Sequence, residues 1–291
     1  MMNEQSQFPL TISIALYKNK PSHIIQMVNS LNNVQIDHNV YFIDNSPTDI
    51  LSCYIPDKPN YYYKKNHTNN GFGSAHNQII NTVVEKEGYH LVMNPDVFFS
   101  KGVLEEITWY MDSHRDIGLL LPRVLNPDKS DQPLFKLLPT PLDLVLRRFV
   151  PSFIQSIFKN NLNRYVMSFA DTESIFDAPY LSGCFMFLRK KALRETGGFD
   201  ERFFLYCEDI DLSRRINRNW RTTYYGNVSV YHYFFKGSYK YPKLLFHHIN
   251  SSIKYFNKYG WLRDPERVKV NMETLQGFEL SEKTQLVTVS K

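Results

Sequence analysis

Short apolar runs alternate with helix-like stretches through the first hundred residues, and this alternation constrains the fold more than any other feature. Apolar runs predict strands at residues 10–16, 40–43, 61–63 and 91–93. Between them, apolar side chains recur at helical spacing around residues 24–31 and 75–84. Strands that alternate with helices at this pace predict an α/β fold, with a mostly parallel central sheet built by right-handed crossovers.

Polar clusters follow these predicted strands. Asp44 ends the second strand, residues 70–73 open the helix after the third, and Asn94-Pro95-Asp96 follows the fourth. Parallel α/β sheets bind their ligands at the carboxyl ends of the strands. The sequence therefore predicts a ligand site formed by these three clusters.

The charge of the chain is unevenly distributed. The net charge is +5 over 291 residues, yet residues 214–269 hold twelve Lys and Arg against two carboxylates. This basic excess indicates an anionic partner such as a phospholipid surface, a pyrophosphate-linked acceptor or nucleic acid, unless it is only a solvated face. No recognisable nucleic-acid module accompanies it, so we expect no nucleic-acid partner.

Two stretches have a basic amphipathic pattern. The first covers about residues 139–166 and is interrupted at Pro151, and the second covers residues 236–270. Each is expected either to lie at a membrane interface or to pack on the sheet, and the first could instead be a lid over the acceptor. The chain has no uncharged apolar run of membrane-spanning length, no signal-peptide pattern at its start and no CxxC pair. We expect a cytoplasmic protein, peripheral on the inner face of the plasma membrane, with a polar, disordered tail over residues 271–291.

Three groups of side chains could carry chemistry. Asp96 is held at a strand end by the preceding proline and could bind a divalent cation, although such a tripeptide is usually a plain turn. Glu208, Asp209 and Asp211 could supply a base, or could only match a helix dipole. His232 ends a strand-like run and could be a metal ligand, whereas the other histidines have no comparable context.

The sequence matches the motifs of other nucleotide-binding proteins poorly. Residues 71–76 contain two glycines of a dinucleotide fingerprint, but His76 occupies the third position and the segment does not follow the first strand. The sequence lacks a GxxxxGK[ST] phosphate loop, and the turn after the first strand, residues 17–19, has no glycine. Dehydrogenase, kinase and sugar-nucleotide synthesis chemistry are therefore disfavoured.

Taken in order, six segments resemble the family 2 glycosyltransferases of the GT-A fold. They are residues 10–19, 43–46, 70–77, 91–97, 182–186 and 197–212. The asparagine-proline-aspartate form of the fourth segment is similar to bacterial rhamnosyltransferases of O-antigen and capsule assembly. The resemblance implies a GT-A domain over residues 8–235, with a nucleotide-sugar half (8–125), an acceptor half (126–235) and a C-terminal helical extension.

The resemblance also implies roles for individual residues. Asp209 would be the catalytic base with Glu208 beside it, and Asp96 with His232 would hold Mg²⁺ or Mn²⁺. Asn94 replaces the first carboxylate of the usual metal motif. The nucleotide-sugar side would comprise Leu16, Tyr17, Asp44, Asn70, Gly73, Asn77, Asn94 and Asp96, and the acceptor side Ser182, Gly183, Asp211 and Arg215.

The implied function is inverting transfer of a sugar from a nucleoside diphosphate to a saccharide acceptor, which would be lipid-linked, in bacterial surface polysaccharide synthesis. The form of the motif favours L-rhamnose from dTDP-rhamnose. Two alternatives stay open, a UDP-hexose transferase of the same fold and a non-catalytic scaffold that binds sugar nucleotides.

Overall fold

The computed structural model describes residues 9–149, 158–233 and 241–289, and a mixed sheet of nine strands forms the centre of this part of the chain. In chain order the strands are β1 (Leu10–Leu16), β2 (His38–Asp44), β3 (Tyr61–Lys65), β4 (Tyr89–Met93), β5 (Val97–Phe99), β6 (Ile117–Leu125), β7 (Phe135–Lys136), β8 (Ile175–Asp177), β9 (Tyr180–Leu181), β10 (Phe185–Arg189) and β11 (Arg221–His232). The main path runs β3-β2-β1-β4-β10-β6-β11-β5, with β8 also beside β11 and with β7 and β9 paired separately.

Nine α-helices lie within the described ranges. They are α1 (Pro21–Asn32), α2 (Phe72–Val83), α3 (Val103–Ser113), α4 (Pro141–Phe149), α5 (Lys159–Tyr165), α6 (Lys190–Thr196), α7 (Glu208–Asn217), α8 (Pro242–Tyr259) and α9 (Pro265–Val289), together with a 3₁₀ helix at Ile50–Tyr54. The crossover helices α1 and α2 bury Ile24, Leu31 and Ile80 in the main core. Because helices cover the sheet, β1 and β4 are apolar along most of their length, as buried parallel strands require.

The first four strands confirm the predicted arrangement. β1 pairs in parallel with β2 and β4, and β2 pairs in parallel with β3. Asp44 is the last residue of β2, and Asn94 follows directly after β4. The polar clusters therefore lie at the carboxyl edge of the sheet, as the sequence predicted.

The expectation of a mostly parallel sheet is wrong for the second half. β10 lies antiparallel to both β4 and β6, and β11 is antiparallel to β5 and β8, so only β6 and β11 are parallel there. Phe185 at the start of β10 pairs with Met93 at the end of β4. This antiparallel register brings residues 182–184 to the loop that follows β4.

The C-terminal helices dock on α7 through a buried ion pair. The guanidinium of Arg214 donates to Asp264 at 2.6 and 2.7 Å and to Glu266 at 2.7 Å. Lys258 of α8 forms ion pairs with Asp211 of α7 and with Asp200, and these also hold α8 in place. Much of the basic excess of residues 214–269 is thus paired inside the protein, so the sequence overstated the charge offered to an anionic partner.

The predicted disordered tail is instead part of a helix, α9, which runs to Val289. The side chain of Asn271 forms two hydrogen bonds with the backbone of Leu138, both of 2.9 Å. Leu275 and Phe278 pack against the main core. These sparse apolar residues find a surface only in the folded chain, which is why a polar composition was misleading.

The first amphipathic stretch forms α4 and α5, while the predicted interruption at Pro151 lies outside the described residues. Leu144 packs against the core, whereas Leu142 and Val145 on the same helix are exposed. Among the described helices, none combines the length and the apolarity needed to cross a membrane.

Candidate active site

The loop after β4 is joined to the acid cluster through residues 183 and 184. The amide of Asn94 donates to the carbonyl of Cys184 at 2.8 Å, and the amide of Gly183 donates to Oδ2 of Asp209 at 3.0 Å. A Cβ at Gly183 would lie only 3.2 Å from Cβ of Asp209, so glycine permits this close approach. The structure therefore brings the Asn94 loop and Asp209 into one site, although they are far apart in sequence.

Asp96 and His232 form the candidate cation site. Oδ1 of Asp96 lies 3.5 Å from Nε2 of His232, and both side chains retain a little exposure. Two ligands that each lie about 2.1 Å from one cation are separated by roughly 3.0–3.4 Å, so the observed spacing is slightly longer than shared coordination requires and close to it. Within the described ranges, no group of three or more His, Cys, Asp or Glu side chains could hold a metal. Further ligands would have to come from a bound diphosphate or water.

Asp209 is stabilised as a carboxylate by three donors. Oδ2 accepts from the amide of Gly183 and from the hydroxyl of Tyr180 at 3.1 Å, and Oδ1 accepts from the amide of Ile210 at 2.9 Å. Burial raises the pKa of Asp209, and these hydrogen bonds together with the charge of Lys136 oppose that rise. Asp209 is thus a carboxylate of increased basicity, as a general base needs.

Glu208 has the opposite environment. Its Oε2 is buried and has no hydrogen-bond partner among the described residues. Burial, and then the charge of Asp209, raises the pKa of Glu208 well above its usual range. The surroundings thus disfavour the charged form of Glu208 more than that of Asp209, which has three hydrogen-bond donors.

The backbone that presents these two carboxyls is strained. Tyr206 and Cys207 have φ of 71° and 65°, in the left-handed region that non-glycine residues rarely occupy. Strain of this kind persists where surrounding contacts over-determine the conformation, and it concentrates at functional sites. The turn ends at Cys207, so that Glu208 and Asp209 are the first two residues of α7.

Asp211 and Arg215 face inside the protein. The fully buried carboxylate of Asp211 accepts from Arg215 at 2.8 Å, from Lys258 at 2.5 Å and from the hydroxyl of Tyr259 at 2.7 Å. Arg215 also donates to the carbonyl of Gly198 at 2.7 Å. In this arrangement the pair holds α7 against α8 and the preceding loop, and its predicted role on the acceptor side stays a prediction.

On the nucleotide side, Asp44 is fully buried. Its carboxylate accepts from the amide of Ser46 and from the hydroxyl of Tyr63, both at 2.7 Å. Burial, and then this hydrogen bond, raises the pKa of the Tyr63 phenol. Leu16 is buried beside it at the end of β1, whereas Tyr17 is exposed. Asp44 thus shapes the loop, and its contact with a nucleoside stays a prediction.

The turn that opens α2 packs against the loop that precedes α7 and contains Phe199. Gly73 packs so closely against Phe199 that a Cβ would lie 2.7 Å from the Cβ of Phe199. Asn77 is buried and exchanges hydrogen bonds of 2.8 and 2.9 Å with the backbone of Phe199. Asn70 is exposed at the edge of this turn. Asn77 is therefore a structural clamp, while Asn70 stays available to a ligand.

No sequence motif marked Tyr180, Lys136, His23 or Gln132, all of which lie near the candidate site residues. Tyr180 donates to Asp209, and the ammonium of Lys136 lies 4.9 Å from the centroid of the Tyr180 ring. His23, set aside for lack of context, stacks on Tyr233 with ring centroids 4.2 Å apart. Residue Ser182, two positions after Tyr180, was the only local sign of a site there, and His23 had none.

A mixed sheet flanked by helices, with Asp209 and the Asp96–His232 pair near its carboxyl edge, is consistent with the class of the nucleotide-sugar transferases. The model of the family described as "Glycosyl transferase family 2" matches residues 12–197. The chain therefore belongs to this family, and it is a glycosyltransferase.

Relatives and solved structures agree with this placement. The N-acetylglucosaminyl-diphospho-decaprenol L-rhamnosyltransferase of Mycobacterium tuberculosis is 27% identical over 78% of this chain and 78% of its own length. Rhamnosyltransferase WbbL of Escherichia coli is 30% identical over 50% of this chain and 54% of its own. The mannosyltransferase PcManGT from Pyrobaculum calidifontis, solved with GDP-Man and Mn²⁺, is 13% identical with a TM-score of 0.55, covering 97% of this chain and 79% of that one. This last likeness concerns the fold.

Proposed function

We propose that this chain is an inverting glycosyltransferase that moves L-rhamnose from dTDP-rhamnose to a lipid-linked saccharide. The observation that carries the proposal is the position of Asp209, whose carboxylate accepts three hydrogen bonds and is tied by Gly183 to the loop that bears Asp96. The names of two relatives, both rhamnosyltransferases, support the donor sugar, and one of those names supports a polyprenyl diphosphate acceptor.

Inversion follows from one base acting without a nucleophile. Asp209 takes the proton of the acceptor hydroxyl. The oxygen of that hydroxyl forms the bond to the anomeric carbon as the bond from this carbon to the diphosphate oxygen breaks. Retention through a glycosyl-enzyme would need a second reactive carboxylate, but Glu208 is buried, and burial raises its pKa well above the usual range, which disfavours its charged, nucleophilic form. The displacement is then a single step with inverted configuration.

Asp96 and His232 would hold the divalent cation, which when bound supplies positive charge that stabilises the departing diphosphate. Since Asn94 offers no carboxylate, the chain itself provides few cation ligands. We expect cation and nucleotide to bind together. Replacement of Asp96 by Ala should weaken Mn²⁺-dependent nucleotide binding, and an unchanged cation requirement in titration calorimetry would count against this assignment.

The base assignment is tested by Asp209→Asn, which removes the base with almost no change of shape. We expect loss of transfer with donor binding close to that of the parent. The matched control is Asp112→Asn on α3, whose carboxylate accepts from Tyr89 at 2.6 Å and should leave transfer intact. Normal turnover by Asp209→Asn would show that another group takes the proton.

The two remaining alternatives are separated by a donor panel. Thermal shift with dTDP-rhamnose and UDP-hexoses, each with Mn²⁺ or Mg²⁺, should show the largest stabilisation with dTDP-rhamnose. Preference for a UDP-hexose would show that the proposed donor is wrong, but it would not contradict the proposed mechanism. Binding of a donor without transfer to any polyprenyl diphosphate saccharide would favour a non-catalytic scaffold.

We also infer peripheral attachment to the inner face of the plasma membrane through a face formed by α4 and α8. Phe246, Ile249 and Ile253 share one face of α8 and are exposed. Together with Val145 of α4, the last two line an apolar groove between the helices. Exposed apolar side chains at this density are typical of an interaction surface. Such a face would bring the site to a lipid-linked acceptor.

Liposome flotation tests this attachment. Ile249→Asp with Ile253→Asp should abolish flotation with anionic vesicles, because carboxylates would then have to enter the interface. Ile50→Asp is the matched control, since Ile50 is 67% exposed in the loop between β2 and β3. Flotation of the α8 variant equal to that of the parent would rule out this face, and no flotation of the parent would rule out attachment itself.

A further inference from the structure

The amide of Gln132 contacts His232 on the side of the ring away from Asp96. Oε1 of Gln132 lies 3.1 Å from Nδ1 of His232, while Nε2 of Gln132 donates to the backbone carbonyl of His232 at 2.7 Å. Gln132 is itself buried. Both chemically different ends of one amide therefore contact the same histidine.

This double contact fixes the orientation of the amide. A backbone carbonyl can only accept, so the group of Gln132 that faces it must be the NH₂. The second proton of that NH₂ goes to Oδ1 of Asn126 at 2.6 Å. Only an acceptor, Oε1, is left to face Nδ1 of His232.

The orientation of the amide decides where the imidazole carries its proton. A hydrogen bond between Nδ1 and Oε1 requires the proton to be on Nδ1. In the neutral ring, Nε2 is then the atom with the lone pair, and it lies 3.5 Å from the carboxylate of Asp96. Two electron-rich atoms that face each other at this distance are stabilised by a cation between them.

The fold supplies a rigid support for Gln132. Its backbone amide donates to the carbonyl of Val124 at 2.8 Å, in the turn that follows β6. β6 runs parallel to β11, and Leu125 pairs with Tyr231, so the turn after β6 meets the end of β11. The parallel register thus places Gln132 beside His232 across 100 residues of sequence.

The geometry points to Gln132 as a positioning residue that holds His232 in the tautomer able to bind a cation through Nε2. This inference rests on the proposed cation-assisted transfer and deepens it. Gln132 influences cation binding through the imidazole of His232 and not through a contact with the donor. Partners of this kind orient metal-binding histidines and strengthen their binding.

The experiment compares the Mn²⁺ affinity of the parent and its variants, measured by the electron paramagnetic resonance signal of free Mn²⁺. One series of titrations contains dTDP and a second contains UDP. Gln132→Met keeps the length of the side chain and removes the acceptor. It should weaken Mn²⁺ binding by about 10- to 100-fold, the loss typical when such a partner is removed. The matched control is Asn126→Ala, which removes a turn contact of Gln132 but leaves its bond to Nδ1, and should bind Mn²⁺ like the parent.

A second measurement needs no change to Gln132. Long-range ¹H–¹⁵N correlation at a pH where imidazole is neutral should find the His232 proton on Nδ1 in the parent, with His232→Gln used to assign the signal. A proton on Nε2 would overturn the inference, as would equal Mn²⁺ affinity in folded Gln132→Met or an equal loss in Asn126→Ala. If the parent binds no Mn²⁺ with either nucleotide, cation assistance and the role of Gln132 fall together.

Discussion

Replacing Tyr180 by Phe removes one donor from the proposed base. The hydroxyl of Tyr180 lies 3.1 Å from Oδ2 of Asp209, which is long for a hydrogen bond between two oxygens. A hydrogen bond to a charged group contributes about 1.5–3 kcal/mol, and its length places this one at the lower end. Since one pKa unit corresponds to about 1.4 kcal/mol, the pKa of Asp209 should rise by about one unit.

The base must be deprotonated to act, so a higher pKa moves the acid limb of the kcat/KM profile to higher pH by the same amount. The plateau above it should change little. Tyr224→Phe is the control, because its hydroxyl donates to the carbonyl of Thr172 at 2.9 Å, away from the acid cluster. An acid limb that stays in place in Tyr180→Phe, or moves equally in Tyr224→Phe, would refute the assignment of Asp209 as the titrating base.

Two further predictions concern stability, and urea unfolding measures both. Gly71→Ala places a Cβ 2.3 Å from the carbonyl oxygen of Phe204 at a φ of +99°, whereas Gly102→Ala at a φ of +91° meets no atom within 4 Å. Gly102→Ala should cost about 1–2 kcal/mol of left-handed strain; Gly71→Ala should cost clearly more, and equal losses would mean that the contact with Phe204 is soft. Burial lowers the pKa of His76 to about 3 and that of His90 well below 6.5, so the unfolded chain takes up their protons first as the pH falls. The free energy of unfolding should therefore decrease below about pH 6.5, by up to about 1.4 kcal/mol per pH unit for each histidine, and a flat profile would contradict their neutral burial.

Local sequence patterns were sufficient for the parallel half of the sheet and for the main chemical groups. Period and length distinguish a buried strand such as β1 from a helix such as α2 without knowledge of their partners. Asp96 and Asp209 stood out because each lies in a motif of adjacent residues. Their roles in catalysis stay predictions until the variants are measured.

Patterns were insufficient where a residue's partner lies far along the chain. Phe185–Arg189 is an apolar run that suits either direction of pairing, so the sequence did not distinguish an antiparallel β10 from a parallel one. The polar composition of α9 concealed Leu275 and Phe278, which pack on the core only after the sheet has formed. The sequence likewise did not show that Arg215 pairs with the buried carboxylate of Asp211.

The sequence by itself determined the class of fold and the order of the motifs, because these depend on periodicity and on neighbouring residues, and its resemblance to the family 2 glycosyltransferases implied Asp209 as the candidate base. Only the tertiary structure distinguished the surroundings of Glu208 from those of Asp209, since burial and the donors from Gly183 and Tyr180 come from other elements. The same holds for Gln132 and His232, which meet because β6 and β11 run side by side. Hydrogen bonds and desolvation depend on which residues lie close together in the folded chain, and the order of residues in the sequence does not specify those distances.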